Sequence, residues 1–269
     1  MADTTPRRAH LIAGGFPPGS MGGHDHDYAR LRLLGLLAER DVPASVANDF
    51  ADVEKWLPVS RLLITYTAGP YPDAAQSRAI ENWLRAGGHW LALHGTSGGR
   101  AQRVEGMRMR RTVKTEHHAL LGSFFLTHPP IREFRVDVSS AASPITKGLD
   151  ASFVVEDEPY FIELQDPGGT QILLTADYGP SAAGATEGLY PADTSLLPDG
   201  KTRVLGYTRG VGEGGVTYFA LGHCHNPAIR ALRANADPVD TTPPVFRVPW
   251  ETDAFVTLLR NTIAWGIGA

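Results

Sequence analysis

Histidines follow the ends of several apolar runs in this sequence, and each of those runs is typical of a β-strand. Eight of the ten histidines lie outside the apolar runs themselves. Residues 8–13 lead into a glycine-rich turn and His24-Asp25-His26-Asp27, residues 89–93 end at His94, and residues 215–221 end at Gly222-His223-Cys224-His225. In an open parallel sheet, the ligand crevice lies outside the carboxyl ends of the strands. We therefore expect the histidines to converge in one polar pocket.

Imidazole groups in such a pocket support two kinds of chemistry. A histidine titrates near neutral pH, so His24 and His223 are predicted to donate and accept protons during a reaction. Histidines are also ligands for divalent metals such as zinc. The candidate metal ligands are His24, His26, His94 and His223, with His128 as a further choice. The sequence leaves direct acid–base catalysis and metal-assisted catalysis both open.

A glycine-rich turn follows the run at residues 89–93. Residues 95–99 match the G-x-S-x-G nucleophile elbow, and Ser97, Asp157 and His223 occur in the order of the α/β-hydrolases. The residues after this turn carry no apolar face that would pack an elbow helix against the sheet. The alternative is a turn whose backbone N–H groups bind an oxygen-rich ligand. Under that alternative the substrate-binding residues are Gly95, Thr96 and Ser97.

Two adjacent carboxylates and a phenol follow another strand-like run, at residues 153–155. They belong to Asp157, Glu158 and Tyr160. Neighbouring residues of an extended chain point to opposite sides, so one of the two carboxylates is predicted to face the pocket. We assign Glu158 a catalytic role, in which it orients a histidine, and we expect Asp157 and Tyr160 to contact the substrate. A buried carboxylate that accepts backbone hydrogen bonds is the alternative for either acid.

The charge and the cysteine content exclude several classes of function. The chain of 269 residues has a formal net charge of −4, which gives no general attraction to nucleic acid or to an anionic membrane. Its single cysteine, Cys224, excludes an internal disulfide and is either an activated thiol or a small core residue. No apolar run reaches the roughly 18 residues of a membrane span. We expect a cytoplasmic protein that binds a small molecule.

The spacing of apolar residues predicts a single α/β domain over residues 1–269. Strand-like runs alternate with helical patterns in the first half, with helices that begin near Asp27 and Asp73, and this indicates a mostly parallel sheet flanked by helices. Residues 131–138 alternate, which indicates antiparallel pairing at one side. The packing face of the first helix is predicted to comprise Tyr28, Leu31, Leu34 and Leu37. Two irregular insertions, predicted to be binding loops, lids or disordered segments, are residues 177–201 and 237–249.

An ordered set of short motifs resembles the ThuA family of trehalose-utilisation-like proteins. The motifs run across nearly the whole chain: Gly23-His24-Asp25, Leu93-His94-Gly95, Leu120-Leu121-Gly122-Ser123-Phe124, Thr127-His128-Pro129, Ser143-Pro144-Ile145-Thr146-Lys147-Gly148-Leu149, Asp157-Glu158-Pro159-Tyr160, Gly222-His223 and Asn261-Thr262-Ile263-Ala264-Trp265. The resemblance implies a flavodoxin-like, class I glutamine amidotransferase-like fold. It also implies a role in sugar metabolism, with disaccharides and 3-keto-sugar derivatives as the associated compounds.

Two departures from the related patterns bear on function. His94-Gly95 stands where amidotransferases carry the elbow cysteine, so glutaminase activity is not expected. The family's usual acidic residue after the late Gly-His motif is Cys224 here, so another group must orient His223.

Our leading hypothesis is an enzyme that acts on a sugar derivative. The expected catalytic residues are His24, His94, Glu158 and His223, and further substrate contacts are expected from Asp25 and His128. The alternatives are a serine hydrolase that uses Ser97, and a non-catalytic sugar-binding or regulatory module. The chain is also a candidate homodimer.

Overall fold

The computed structural model describes residues 7–15, 23–106, 110–139, 142–178, 189–228 and 243–268. Its centre is a mixed sheet of nine strands, and the described residues also form two sheets of two strands each. The large sheet contains β1 (Ala9–Gly14), β2 (Ala44–Ala47), β3 (Leu62–Thr67), β4 (His89–Leu93), β8 (Arg132–Val138), β9 (Ser152–Asp157), β11 (Thr170–Asp177), β12 (Thr202–Val211) and β13 (Gly214–Phe219). The small sheets contain β5 (Arg100–Arg103) with β6 (Arg110–Val113), and β7 (Ser123–Thr127) with β10 (Phe161–Leu164).

The parallel half of the sheet has the strand order β2-β1-β3-β4-β13. Each neighbouring pair in this half is parallel. This is the flavodoxin-like order, in which the chain changes direction across the sheet between the first and third strands. The predicted fold class is confirmed. Ligands of such sheets bind outside the carboxyl ends of the strands beside that switch point.

Every residue of β1 and β3 is buried, as is typical of parallel strands that are covered on both faces. The helices of the described residues are α1 (His26–Ala38), α2 (Val53–Trp56), α3 (Ala74–Arg85), α4 (Glu116–Leu121), α5 (Val248–Glu251) and α6 (Asp253–Gly266). Among these described helices, none has the length and apolar character needed to cross a membrane.

Side-chain caps fix where the first two long helices begin. The Asp25 carboxylate accepts the backbone N–H of Tyr28 at 3.2 Å, and Asp73 forms a reciprocal capping box with Gln76. Both helices therefore begin within one residue of the predicted positions. The predicted packing face of α1 was wrong at Leu31, which is 67% exposed. The helix packs through Leu37, as predicted, and through Ala29, Leu33 and Leu36.

The other half of the sheet is antiparallel, as predicted. Strands β12, β11, β8 and β9 follow β13 in that order, and each pair along the series is antiparallel. The direction of the chain reverses at every step, so β9 runs in the same direction as β13. The segment that begins at Asp157 therefore leaves the sheet at the edge where the parallel strands end.

The segment after the glycine-rich turn is a hairpin of β5 and β6 and not a helix. This agrees with the lack of an apolar face noted in the sequence. The predicted loop at 177–201 lies partly outside the described residues, as does the one at 237–249. Within the second loop, Phe246 pairs through its backbone with His225, so this segment lies beside the histidine-rich edge.

Candidate active site

The four predicted catalytic side chains meet in one buried group. His24, His94, Glu158 and His223 each contribute a ring nitrogen or a carboxylate oxygen, and these four atoms lie within 4.8 Å of one another. The three histidine rings have centroids 5.0, 5.1 and 5.5 Å apart. All four residues are buried. We call this group the four-residue centre.

Strand direction explains why these residues meet. His94 follows β4 directly, His223 follows the end of β13, and His24 lies between β1 and α1. Because these three strands are parallel neighbours or near neighbours, their carboxyl ends share one edge of the sheet. Glu158 reaches the same edge at the end of β9.

A tight turn directs the His94 ring into the crevice. His94 has a positive φ of 42°, a backbone conformation that residues other than glycine rarely adopt. It is the first residue of a 3-10 helix over His94–Ser97. The next residue must be glycine, because a Cβ on Gly95 would lie 2.4 Å from the carbonyl oxygen of Thr67. Strained backbone of this kind is found mainly at functional sites.

Hydrogen bonds fix the orientation of two of the histidines. His94 Nδ1 lies 2.8 Å from the carbonyl oxygen of Ala220. His223 Nε2 forms a hydrogen bond with His225 Nδ1 at 3.0 Å, and its Nδ1 lies in an ion-pair contact 3.2 Å from Glu158 Oε2. His225 therefore orients His223 through a hydrogen bond, in place of the acidic residue that Cys224 replaces, and Glu158 lies beside the other ring nitrogen.

Glu158 lies between two histidines. Its second oxygen, Oε1, is 3.2 Å from Nδ1 of His128, whose side chain is 36% exposed. His128 therefore forms the outer margin of the site, between the buried carboxylate and solvent. A contact between His128 and a substrate stays a prediction.

The structure separates the two adjacent carboxylates, as the strand alternation predicts. The carboxylate of Asp157 accepts the backbone N–H groups of Gly222 at 2.7 Å, His223 at 3.1 Å and Glu158 at 2.7 Å. Burial raises the pKa of Asp157 to about 7, against the lowering effect of these hydrogen bonds. Asp157 holds the backbone of the site in place, which corrects the expectation that it contacts the substrate.

Two tyrosines pack against the four-residue centre. The hydroxyl of Tyr160 lies 3.3 Å from His24 Nε2, and the Tyr160 ring lies 3.9 Å from that of His94. Tyr66 packs edge-on against His24 and donates its hydroxyl hydrogen to the carbonyl of Gly222 at 2.9 Å. Tyr160 therefore lies against the centre, and its contact with a substrate stays a prediction.

Asp25 and His26 lie beside the centre but outside it. Asp25 caps α1 and forms an ion pair with Arg247 at 3.1 Å, so its carboxylate is a structural group and not the predicted substrate contact. His26 packs against Gly15 and Tyr66. Burial lowers the pKa of His26 to about 4, so the ring is neutral at neutral pH. The prediction that His26 belongs to a metal-binding set is not supported.

The side chains of the glycine-rich turn point into the protein. Thr96 donates to the carbonyl of Thr65 at 3.0 Å, and the Ser97 hydroxyl lies 2.7 Å from that of Tyr218. Both residues are buried. The turn, including Gly95, supports His94. Gly95, Thr96 and Ser97 are therefore structural residues, which corrects the expectation that they contact the substrate.

Cys224 is a core residue. Its Sγ donates to the carbonyl of Asp25 at 3.4 Å, and burial raises the pKa of the thiol to about 12. The activated-thiol alternative therefore fails, because the nucleophile would be a thiolate.

Sequence analysis missed the roles of Tyr66 and His225. Tyr66 is the penultimate residue of the apolar strand β3. A hydroxyl-bearing side chain at the carboxyl end of such a strand could have indicated a residue of the site. His225 was visible as part of a His-x-His pattern, but its partner on the far side, the carbonyl of Pro243 at 2.8 Å, belongs to a distant loop. No local pattern predicts that contact.

Comparisons with known proteins agree with this fold. A ThuA-like protein from Bacteroides uniformis is similar at 18% identity and a TM-score of 0.60, over 98% of this chain and 92% of that one. A ThuA-like protein from Parabacteroides merdae is similar at 17% identity and a TM-score of 0.60, over 97% and 90%. None of the curated proteins matches the chain. The family model for ThuA, described as trehalose utilisation, matches residues 20–232, and the chain belongs to this family.

Proposed function

We propose that this protein is an enzyme of carbohydrate metabolism that acts on an oxidised sugar derivative, with a 3-keto-disaccharide as the substrate class. The observation that carries the proposal is the convergence of His24, His94, Glu158 and His223 in one buried group. Family membership supports the link to carbohydrates, since the family description is trehalose utilisation.

The chemistry of a 3-keto sugar suits these side chains. The ketone acidifies the hydrogen on C2, so a base can remove it. The electron pair of the C2–H bond then forms a C1–C2 double bond, and the C1–O bond breaks with its pair passing to the leaving oxygen. An acid gives that oxygen a proton. Positioned groups that transfer protons in this way contribute about 10²–10⁴-fold to a rate.

A cavity that is lined by residues following β3 and the His94 turn is the candidate place for the leaving group. This cavity of about 510 Å³ is lined in part by Ala68, Tyr71, Gly99 and Thr115. Ala68 follows the end of β3, and Gly99 follows the turn that carries His94. The cavity therefore opens near the carboxyl edge of the sheet, and its volume is in the range of small-molecule sites. We assign it to the second half of a glycoside.

The serine-hydrolase alternative receives less support from the geometry. Ser97 is hydrogen-bonded to Tyr218, and the ring nitrogens of His223 face Glu158 and His225. The residue with elbow-like backbone strain is His94 and not Ser97.

The test is turnover of 3-keto-glucosides, compared with the unoxidised glucosides. Product release and exchange of the C2 hydrogen with deuterium oxide are followed by NMR. We expect the exchange for the keto form only, with a loss of more than about 100-fold in His94→Ala. His89→Gln is the matched control, because His89 begins the strand that leads to His94 and lies at the opposite edge. Binding without exchange or release would show a sugar-binding module instead.

A further inference from the structure

We propose that His24, His94, Glu158 and His223 bind one zinc ion. The proposal shares its location with the proposed function and names the cofactor of that site. It stands on the direction of hydrogen bonds, which determines where the ring nitrogens carry their hydrogens.

The hydrogen-bond chain through His225 determines the tautomer of His223. A backbone carbonyl only accepts, so His225 Nε2, 2.8 Å from the carbonyl oxygen of Pro243, carries the hydrogen. In a neutral His225 the other nitrogen, Nδ1, is then an acceptor. His223 Nε2 lies 3.0 Å from it and must be the donor. A neutral His223 therefore has the lone pair on Nδ1.

That lone pair lies beside a carboxylate. His223 Nδ1 is 3.2 Å from Glu158 Oε2. Two acceptors at this distance in a buried place repel each other, unless a positive charge lies between them or beside them. The contact therefore requires a cation or an additional proton.

His94 directs a second lone pair into the same space. Its Nδ1 donates to the carbonyl of Ala220 at 2.8 Å, so Nε2 carries the lone pair in the neutral ring. An additional proton on His223 would resolve the contact with Glu158 alone. A divalent cation accepts electron pairs from His24, His94, Glu158 and His223 together. It therefore offsets the repulsion between Glu158 and His223 and also accounts for the approach of the two other histidines.

The distances and the donor types fit zinc. In a tetrahedral site with zinc–ligand bonds near 2.0–2.1 Å, neighbouring ligand atoms lie about 3.3 Å apart. The Glu158–His223 pair has this spacing at 3.2 Å, and the largest separation in the set is within 4.8 Å. Three imidazoles and one carboxylate are typical zinc donors, whereas magnesium and calcium prefer oxygen.

The groups around the four ligands are those that support metal sites. Ligand histidines usually donate their second N–H to a carbonyl or another polar group, which fixes the ring and strengthens the ligand. Ala220 does this for His94, and His225 does it for His223.

Zinc changes the roles within the proposed reaction. Ligated imidazoles do not shuttle protons, and the metal would polarise the oxygen of the keto group. Tyr160, whose hydroxyl lies near His24, and His128, which contacts Glu158, become the groups beside the centre that are able to transfer protons.

The first experiment measures metal in the wild-type protein. The full chain is purified without a histidine tag, stripped with a chelator, dialysed, and titrated with zinc in competition with a chromophoric indicator. We expect a 1:1 complex and a rise in melting temperature that the chelator reverses. Absence of zinc binding in the folded wild-type protein would overturn the proposal.

Variants then assign the ligands. His94→Ala and His223→Ala are expected to weaken zinc binding by more than about 100-fold. His225→Ala, which removes no ligand, is expected to weaken it by about 10–100-fold. His26→Gln and His89→Gln, at a buried and a half-buried histidine outside the centre, should bind zinc as the wild type does. Equal affinity in all five variants would place the metal elsewhere and overturn the assignment.

The two proposals fail separately. Zinc binding without turnover of keto sugars would contradict the proposed function and leave the metal centre intact. Turnover of keto sugars by a protein that binds no zinc would contradict the metal centre and leave the proposed function intact.

Discussion

The carboxylate of Asp157 holds the backbone of His223, whose N–H it accepts at 3.1 Å. The same carboxylate accepts the N–H groups of Gly222 and Glu158. The carboxyl end of β9 is thereby joined to the segment after β13. One buried side chain thus sets the relative positions of Glu158 and His223, two members of the four-residue centre.

Asp157→Asn should destabilise the protein, because the amide has one acceptor oxygen and turns an NH₂ group towards a backbone N–H. We expect the free energy of unfolding to fall by about 1–3 kcal/mol, measured by urea denaturation. Asp137→Asn, at an exposed position, is the control and should change it by less than about 0.5 kcal/mol. Equal stability of the two variants would show that the Asp157 contacts contribute little.

Gly95→Ala should disrupt the turn that presents His94. The new Cβ would lie 2.4 Å from the carbonyl oxygen of Thr67, so the backbone must move. We expect lower stability and a loss of activity. Gly35→Ala is the contrasting control, since Gly35 lies in α1 and its Cβ would meet nothing within 4 Å. Alanine there should stabilise the protein by about 0.5–1 kcal/mol, and destabilisation of both variants alike would contradict the argument.

Ser97→Ala should retain activity. The serine hydroxyl is bonded to Tyr218, so its removal is expected to cost about 1 kcal/mol of stability, with little change in turnover. Thermal unfolding and kcat/KM are measured together, and a fluorophosphonate probe should not label the wild type. Labelling at Ser97, or loss of turnover in the folded variant, would support the serine-hydrolase alternative.

Ala68→Trp should fill the cavity assigned to the leaving group. Ala68 lines that cavity of about 510 Å³. We expect the variant to bind 3-keto-disaccharides more weakly, while the affinity for a 3-keto-monosaccharide stays unchanged, as measured by calorimetry. A parallel loss for both ligands would mean that the substitution disturbs the centre itself and that the cavity is not a separate subsite.

Stability should fall as the pH decreases from about 6.5 to about 4, in part because of His10. Burial lowers the pKa of His10 to about 4 from 6.5. The unfolded chain therefore takes up a proton on His10 in this window before the folded protein does, and the stability present above pH 6.5 is lost as the pH falls to about 4.

His10→Gln cannot be charged, so its unfolding free energy should depend less steeply on pH across this window. Urea denaturation at several pH values measures the slope. Some slope should remain from His89 and His117, whose pKa values burial lowers to about 4 and about 3. Identical slopes in the variant and the wild type would exclude the contribution of His10.

The sequence by itself determined the fold class and much of the site. Periodic apolar residues predict strands and helices because these patterns are local, and α/β alternation then places the strand ends, with His24, His94 and His223, at one edge. Only the tertiary structure decided which neighbouring residues take part. It placed His24 in the four-residue centre and His26 outside it. The carboxylate of Asp157 binds backbone N–H groups, whereas that of Glu158 belongs to the centre, and His225 is the hydrogen-bond partner of His223. These choices depend on which atoms from distant segments meet at hydrogen-bonding distance, and no local pattern of residues specifies that.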